Sequence, residues 1–220
     1  MLESPTRLKI AAPERMSFAT IEALVRRHEH WLARQVSLLR SAPPLYISAQ
    51  RSFVQGEIIP YLGFSLRLQI THDASQRQGC TLASHRLIVN WPDEDEYPQL
   101  YGRREAIRLE VLLWLKRRAR QKLARRLDIW AQRMGARYAR MSMGNAERRW
   151  GSCTSSNDIR LNWRLVMAPL PLLDYVVVHE LAHVFHKDHS KRFWGLVGQF
   201  VPDYRARRNR LQAIGDRLVL

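Results

Sequence analysis

Residues 175–194, YVVVHELAHVFHKDHSKRFW, contain four of the chain's eight histidines. The first half of this stretch is mostly apolar, which predicts a buried helix, and the polar run HKDHS predicts where that helix ends. Inside the helix, His179, Glu180 and His183 form the pattern HExxH. Residues i and i+4 lie on one helix face, so the two imidazoles can bind one metal ion while the carboxylate takes a proton from a coordinated water. The stretch therefore predicts a catalytic metal site.

The third ligand of this site has to come from the residues after the helix. A catalytic zinc site commonly has three protein ligands and an open position for water, and no glutamate follows Glu180 in the chain. His189 has the spacing HExxHxxxxxH and can turn back onto the ion if the helix ends between His183 and His189. His186 is the competing candidate, but it lies one turn past His183, too far along a regular helix to share the tetrahedron. We interpret His186 as a residue behind the ligands, a substrate contact or polar surface.

The chain has a large positive charge. Its 220 residues include 36 Lys and Arg against 20 Asp and Glu, which gives a formal net charge of +16 and a pI near 10.9. Such a balance is typical of proteins with an anionic partner, such as a nucleic acid, a nucleotide or an acidic surface. The alternative is a solvated basic surface with no dedicated partner.

The cysteines and the apolar runs indicate the cellular compartment in which the protein is found. Cys80 and Cys153 are far apart and cannot build a disulfide framework, which favours a reducing environment. The N-terminal residues show no signal-peptide pattern, and the apolar runs are too short to span a bilayer. We therefore expect a cytoplasmic protein with no membrane partner.

Helical and extended patterns divide the chain into two regions. Residues 17–40 have apolar positions at helical spacing, residues 51–70 alternate around two glycines as in a β-hairpin, and residues 85–91 form a further strand. The acidic, proline-bounded run PDEDEYP follows. We place a boundary there, between an N-terminal helix and β-hairpin region, 1–95, and a metal-binding core on which it packs, 96–220.

The core begins with a long amphipathic helix over residues 100–137, whose basic face is a candidate surface for nucleic acid. Two extended pieces, 139–142 and 159–166, are predicted to flank a polar, turn-rich segment. Prolines should open the metal-binding helix, with Asp174 as an early capping acid. Two short helices should follow it.

Several ordered blocks of the sequence closely resemble the YgjP-like (DUF45) metallopeptidase-type proteins, which are related to the SprT and WLM zincin-like domains. The blocks are RRWGSC, IRLNWRL, LLDYVVVHELAH, DHSKRFW and PDYRARR, together with the hairpin GEIIPYLGFSLRL. The resemblance covers about residues 20–216 as one domain. It implies an α+β fold with a minimal zincin-like metalloprotease core, formed by a small mixed or antiparallel sheet, an active-site helix and C-terminal helices.

The resemblance also implies roles for individual residues. Glu180 would be the general base, and one Zn²⁺ ion, or another divalent transition metal, would be bound by His179, His183 and His189. The chain departs from the family pattern at two positions. Asp188 stands where the family commonly has asparagine, and His186 is not part of the usual pattern.

Three functions are compatible with such a centre, and the first is a zinc peptidase. The metal would polarise the scissile carbonyl and Glu180 would move the proton. The RRWGSC and IRLN segments would supply an edge strand that holds an extended peptide. Tyr204 or an arginine could steady the oxyanion.

The second function is a nucleoside triphosphate pyrophosphohydrolase, converting for example UTP to UMP and pyrophosphate. Arg148 and Arg149 would hold the phosphates while Glu180 activates water. The positive charge favours this reaction, whereas the HExxH geometry favours the peptidase, because phosphoryl chemistry usually uses Mg²⁺ on carboxylates. The third function is a SprT-like metalloprotein associated with nucleic acid through its basic helix, although the sequence has no zinc-finger or helix-turn-helix pattern.

Overall fold

The computed structural model describes residues 2–4, 7–8, 16–27, 51–90, 103–146, 149–215 and 218. Helices and small sheets combine in an α+β fold, which confirms the expected class. The strands are β1 (Leu2–Ser4), β2 (Arg7–Leu8), β3 (Ile58–Tyr61), β4 (Phe64–Thr71), β5 (Gly79–Ala83), β6 (Arg86–Asn90), β7 (Arg140–Gly144), β8 (Gly151–Cys153) and β9 (Asp158–Asn162). The helices are α1 (Phe18–Arg27), α2 (Arg103–Met134), α3 (Leu170–Phe185), α4 (Lys191–Phe200) and α5 (Tyr204–Gly215), with a 3₁₀ helix at Trp163–Met167.

The first large sheet has the strand order β3-β4-β6-β5. β3 and β4 form the predicted hairpin, with Leu62 and Gly63 at its turn. Both residues have positive φ, 51° and 92°, as a two-residue hairpin turn with the twist of the flanking strands requires. β4 is parallel and β5 antiparallel to β6, so the sheet is mixed. Through β5 and β6 the sheet packs on α2.

The long helix α2 has the apolar stripe that its sequence predicts. The fully buried residues of this stripe are Val111, Leu115, Ala119, Leu123 and Leu127. Their regular spacing of four places them on one helix face, and the helix packs on the 3₁₀ helix and on α3. Within the described parts of the chain, no helix combines the length and the apolar character needed to cross a membrane.

The second large sheet, of order β7-β9-β8, lies against the histidine-containing helix through β8. β7 is parallel and β8 antiparallel to the central β9. Ile159 and Leu161 are fully buried, whereas Arg160 between them is exposed on the other face of the sheet. The extended piece predicted over residues 159–166 continues in the structure only as far as Asn162. The prediction is wrong for the remaining residues, because the side chain of Asn162 caps a 3₁₀ helix at Trp163–Met167.

α3 begins after Pro169 and is buried over most of its length. Asp174 is not the early capping acid that the sequence suggests, because it lies in the second turn and pairs with Arg126 of α2. The guanidinium Nε and Nη2 donate to the two carboxylate oxygens at 2.6 and 2.7 Å. A bidentate ion pair therefore joins α3 to α2. As predicted, two further helices, α4 and α5, follow and contact α3.

Part of the predicted organisation lies outside the described residues. The helix predicted over residues 17–40 is described only as α1, and the boundary segment 92–98 is not described. The division into 1–95 and 96–220 stays a prediction.

Candidate functional site

Three histidine side chains converge where α3 ends. His179 and His183 lie one turn apart on α3, and His189 follows in the connection to α4. The chain can turn back because α3 stops at its C-cap residue, His186. The Nε2 atoms of His179 and His189 are 3.2 Å apart, and one donor nitrogen from each of the three histidines lies within 4.8 Å of the others. The imidazole of His186 is not a member of this group.

The geometry of the group fits a tetrahedral metal ion. A Zn²⁺ ion bonded to imidazole nitrogens at about 2.0–2.1 Å, with tetrahedral angles, separates those nitrogens by about 3.4 Å. The 3.2 Å between His179 and His189 is close to this value. Two imidazole nitrogens at that distance need a proton or a cation between their lone pairs, so the donor set suits a divalent transition metal.

The imidazole of His183 is oriented by the main chain. Its Nδ1 lies 3.0 Å from the carbonyl oxygen of His186. Because a carbonyl oxygen only accepts hydrogen bonds, Nδ1 donates, and the lone pair of Nε2 is left for a metal. His186 thus contributes through its main chain, and a substrate contact by its imidazole stays a prediction.

Aromatic rings hold the imidazoles in place. Phe193 is fully buried and contacts all three histidine rings, with centroid distances of 4.5–4.9 Å. Trp194 stacks on His189 at 5.6 Å and 26°, and Tyr204 of α5 stacks on Trp194 at 5.1 Å and 15°. The third histidine is therefore positioned by α4 and α5. The predicted oxyanion contact of Tyr204 stays a prediction.

Lys187 ties the connection between α3 and α4 to the second large sheet. Its Nζ donates to the carbonyl oxygen of Thr154 at 2.8 Å and to Oδ1 of Asn157 at 2.6 Å. Both acceptors lie in the turn between β8 and β9. Lys187 precedes His189 by two positions, so these bonds anchor the segment that brings the third histidine back to the helix.

Burial favours the neutral form of the imidazoles. Desolvation lowers the pKa of His179 to about 3, and the charges of His183, His189 and Arg208 act in the same direction. Desolvation is also the main reason that the pKa of His183 is lowered. Metal ions bind the neutral imidazole, so both groups have the form that ligation requires at neutral pH.

Glu180 lies buried against β8, with 5% of its surface exposed. A Cβ built on Gly151 would lie 2.5–2.7 Å from Oε1, Cγ and Cδ of Glu180, so the carboxylate occupies space that a side chain at position 151 would fill. Burial raises the pKa of Glu180 to about 8, and the charge of Arg149 opposes this rise. A bound dication would act like Arg149 and favour the carboxylate form that a general base needs.

A cleft of about 530 Å³ opens over the second large sheet. Gly151 lines the cleft, and a Cβ built on it would meet the Glu180 side chain. Arg149, Arg160 and Asn145 also line it. The cleft therefore combines cationic and amide groups, and Arg160 reaches it from the face of the sheet opposite to the Cβ direction of Gly151 that meets Glu180.

The sequence-predicted site residues differ in how the structure places them. The three histidines come together, Glu180 follows His179 in α3 and lies against Gly151, and Arg149 lines the cleft. Arg148 lies outside the described residues. Sequence reasoning missed Lys187, Trp194 and Arg160; the block DHSKRFW contains the tryptophan, whereas nothing in the local pattern marks the other two.

Comparison with known proteins agrees with this geometry. No curated protein and no solved structure matches the chain. The family described as YgjP-like, metallopeptidase domain, matches residues 2–214. This match supports a metal-dependent, peptidase-type function and implies a metal ion, which the three-histidine group could bind. With nearly all of its length matched, the chain belongs to the YgjP-like metallopeptidase family.

Proposed function

We propose that the protein is a zinc-dependent peptidase in which Glu180 is the general base and the metal ligands are His179, His183 and His189. One observation carries this proposal. Three imidazoles converge at metal-ligand spacing beside a buried carboxylate. On an HExxH helix, this arrangement is suited to hydrolysis, and the family match supports the same class of reaction.

The residues around the site can each be given a task in peptide hydrolysis. When bound, the ion would supply a Lewis acid for the scissile carbonyl and lower the pKa of a coordinated water to about 7. Glu180 accepts a proton from the attacking water and returns it to the leaving amine. Gly151 leaves room for the Glu180 carboxylate, and Phe193 keeps the histidine rings in position.

The edge strand β8 is the proposed place for the peptide. It lies at the edge of its sheet and packs on α3. An extended peptide that pairs with this edge would pass Glu180 and satisfy its main-chain hydrogen bonds on the strand. Tyr204 or Arg149 would then steady the developing oxyanion.

Comparing the wild type with Glu180→Gln tests the proposal. Bound metal is measured by inductively coupled plasma mass spectrometry, and cleavage of a peptide library is followed by mass spectrometry of the products. We expect both proteins to contain zinc and the variant to cleave at least about a hundredfold more slowly, because it has lost its general base. Chelation should abolish cleavage, and added Zn²⁺ should restore it.

Glu22→Gln is the matched control, because Glu22 is an exposed residue of α1. This variant should keep both metal and cleavage. A wild type that contains no transition metal and cleaves no peptide would contradict the proposal, as would a Glu180→Gln variant with full cleavage.

The charge around Glu180 favours a second candidate, the nucleoside triphosphate pyrophosphohydrolase. Arg149 is close enough to lower the pKa of Glu180, and it also lines the cleft over the second large sheet. The guanidinium of Arg149 could hold phosphates while Glu180 activates water. A different result of the test would be that the wild type releases pyrophosphate from nucleoside triphosphates and cleaves no peptide. If Glu180→Gln lost this release, the pyrophosphohydrolase would be the function in place of the peptidase.

A further inference from the structure

The helix α5 reaches the candidate metal centre through one indole ring. Tyr204 and Arg208 lie one turn apart on α5, so they share a helix face. Both lie against Trp194, with the Tyr204 ring 5.1 Å and the guanidinium carbon of Arg208 5.5 Å from the centroid of the indole. The same indole lies 5.6 Å from the rings of His179 and His189. Arg208 and two of the candidate ligands therefore share one aromatic neighbour.

The charge of Arg208 acts on side chains of the candidate centre. Desolvation raises the pKa of Tyr175, one turn before the first histidine of α3, to about 12, and the charge of Arg208 opposes this rise. Together with desolvation and the other two histidines, the charge of Arg208 lowers the pKa of His179. Arg149, which precedes β8, acts on Glu180 instead. The two arginines therefore lie beside different parts of the centre.

Arg208 is an exposed residue with no anionic partner among the described residues. In that part of the chain, its guanidinium forms no ion pair and no hydrogen bond. The two groups on which its charge acts are not anions at neutral pH, because an imidazole is neutral or cationic and the phenol of Tyr175 keeps its proton. The positive charge beside the centre is thus left for a ligand.

The segment that contains Arg208 is basic. Residues 191–215, which include α4 and α5, contain six Lys and Arg and one acidic residue, Asp203. Asp203 pairs with Arg207 at 2.9 Å, so its charge is already used. An approaching anion is therefore attracted to this side of the centre. The contact with Trp194 positions the guanidinium of Arg208, whose N–H edge can still donate to a carboxylate or a phosphate.

We propose that Arg208 binds an anionic group of the substrate, a carboxylate or a phosphate, beside the candidate metal centre. A substrate held on β8 passes Glu180, and the part of it that extends past His179 towards α5 reaches the guanidinium. This inference rests on the proposed function in making that group part of the substrate. It selects molecules that have a free carboxylate or a phosphate close to the bond that is hydrolysed.

Isothermal titration calorimetry of the full-length protein, at constant ionic strength, tests this site. The phosphate probe is inorganic phosphate, and the carboxylate probe is N-acetyl-dialanine, with its C-terminal amide as the uncharged reference. We expect one or both anions to bind and the amide not to bind. Arg208→Met should weaken binding at least about fivefold, because it removes a charge-assisted hydrogen bond. Arg208→Lys should be intermediate, because it keeps the charge and loses the planar fork.

Arg210→Met is the matched control. It removes an exposed guanidinium from the same helix and changes the net charge equally, but position 210 lies on the opposite side of α5 from position 208. The variant should change binding by less than about twofold, since that charge is solvated and screened.

Three results would overturn the inference. The first is an equal loss of binding in Arg210→Met and Arg208→Met. The second is the failure of both anions to bind at millimolar concentration, or binding of the amide that equals that of the acid. The third is binding that survives Arg208→Met and disappears after chelation, because this would place the anion on the metal.

The outcome is separable from the test of the proposed function. Peptide cleavage that depends on Glu180, without anion binding that depends on Arg208, would keep the peptidase and remove the anion site. Anion binding that depends on Arg208, without turnover that depends on Glu180, would keep the anion site and remove the peptidase. The relative affinity of phosphate and carboxylate then distinguishes the two sources of the anion.

Discussion

At the scale of single residues, the missing side chain of Gly151 decides where the Glu180 carboxylate can lie. A Cβ at this position would be 2.5–2.7 Å from three atoms of Glu180, which is closer than a Cβ, which makes no hydrogen bond, comes to an atom that is not bonded to it. Gly151→Ala should therefore displace Glu180 and lower turnover by about a hundredfold, the effect expected of a misplacement of about 1 Å. Bound metal should not change, because the substitution touches no ligand. Steady-state kinetics and metal analysis measure the two effects.

Gly195→Ala provides the control for this substitution. Gly195 lies inside α4, and nothing lies within 4 Å of a Cβ built there. The variant should keep full turnover and gain up to about 1 kcal/mol in free energy of unfolding, because alanine is the better helix former. Wild-type turnover in Gly151→Ala would show that the Glu180 carboxylate does not need its present position.

For single residues, the sequence predicts well which side chains come together at the candidate site. It predicts poorly which other residues hold those side chains in position. HExxH and the spacing to His189 indicate a common site, because helix geometry converts sequence spacing into distance. The contacts of Lys187 with the β8–β9 turn and of Trp194 with Tyr204 of α5 join distant parts of the chain. No local pattern encodes such contacts, so those supporting residues could not be predicted.

At the scale of secondary-structure elements, the ion pair between Arg126 and Asp174 joins the two central helices. Only 20% and 11% of the two side chains are exposed. Asp174→Ala should lower the free energy of unfolding by about 3 kcal/mol, because it leaves a partly buried guanidinium without its partner. The double variant Arg126→Met/Asp174→Leu should recover most of this loss, because apolar contacts replace the ion pair. Urea denaturation monitored by circular dichroism measures both changes.

The exposed pair of Glu22 and Arg26 on α1 is the control for this prediction. Their side chains are 49% and 76% exposed, so Glu22→Ala should cost less than about 1 kcal/mol. If Asp174→Ala cost no more than Glu22→Ala, the ion pair would have no part in joining α2 to α3.

The long secondary-structure elements could be predicted from the sequence, whereas the short ones could not. α2 and α3 have many periodic or apolar positions, and the hairpin of β3 and β4 has glycine at its turn. β8 has three residues, too few to show a period, and it lies in a segment predicted to be turn-rich. The 3₁₀ helix after β9 follows from a side-chain cap by Asn162, which overrides the extended pattern of the apolar residues around it.

At the scale of the whole molecule, the formal charge of +16 predicts an interaction with polyanions. Arg117, Arg120 and Arg125 are exposed on α2. We expect the protein to bind duplex DNA without sequence preference at low salt and to lose most of this affinity as salt is raised. Changing these three arginines to glutamine should reduce the slope of log K against log salt by up to about 3, since each phosphate contact contributes about 0.9.

Glu180→Gln is the control for the DNA measurement. It should bind DNA as the wild type does, because Glu180 is buried in the candidate site and is not part of the exposed face of α2. Fluorescence anisotropy at several salt concentrations gives the slopes. DNA affinity that does not change with salt, or a triple variant with the slope of the wild type, would exclude a surface on α2 that binds phosphates.

The α+β class and the order of the helices could be predicted for the molecule as a whole, but the pairing of its strands could not. β4 pairs in parallel with β6, and β7 pairs in parallel with β9. Parallel partners are joined by long connections rather than a tight turn, so neither turn chemistry nor alternation of residues identifies them.

The anchoring of Lys187 affects how the protein can be labelled or immobilised. Acylating reagents that attack surface amines would remove the charge of Lys187 and two of its three N–H donors. Its Nζ could then no longer donate to both Thr154 and Asn157, which would loosen the segment ahead of His189 without altering any histidine ring. A maleimide on Cys153 is no safer, because its sulfur lies 3.8 Å from the same amine. Cys80, in β5 of the other large sheet, is no substitute, because burial raises the pKa of its thiol to about 12 and leaves little thiolate to react at neutral pH.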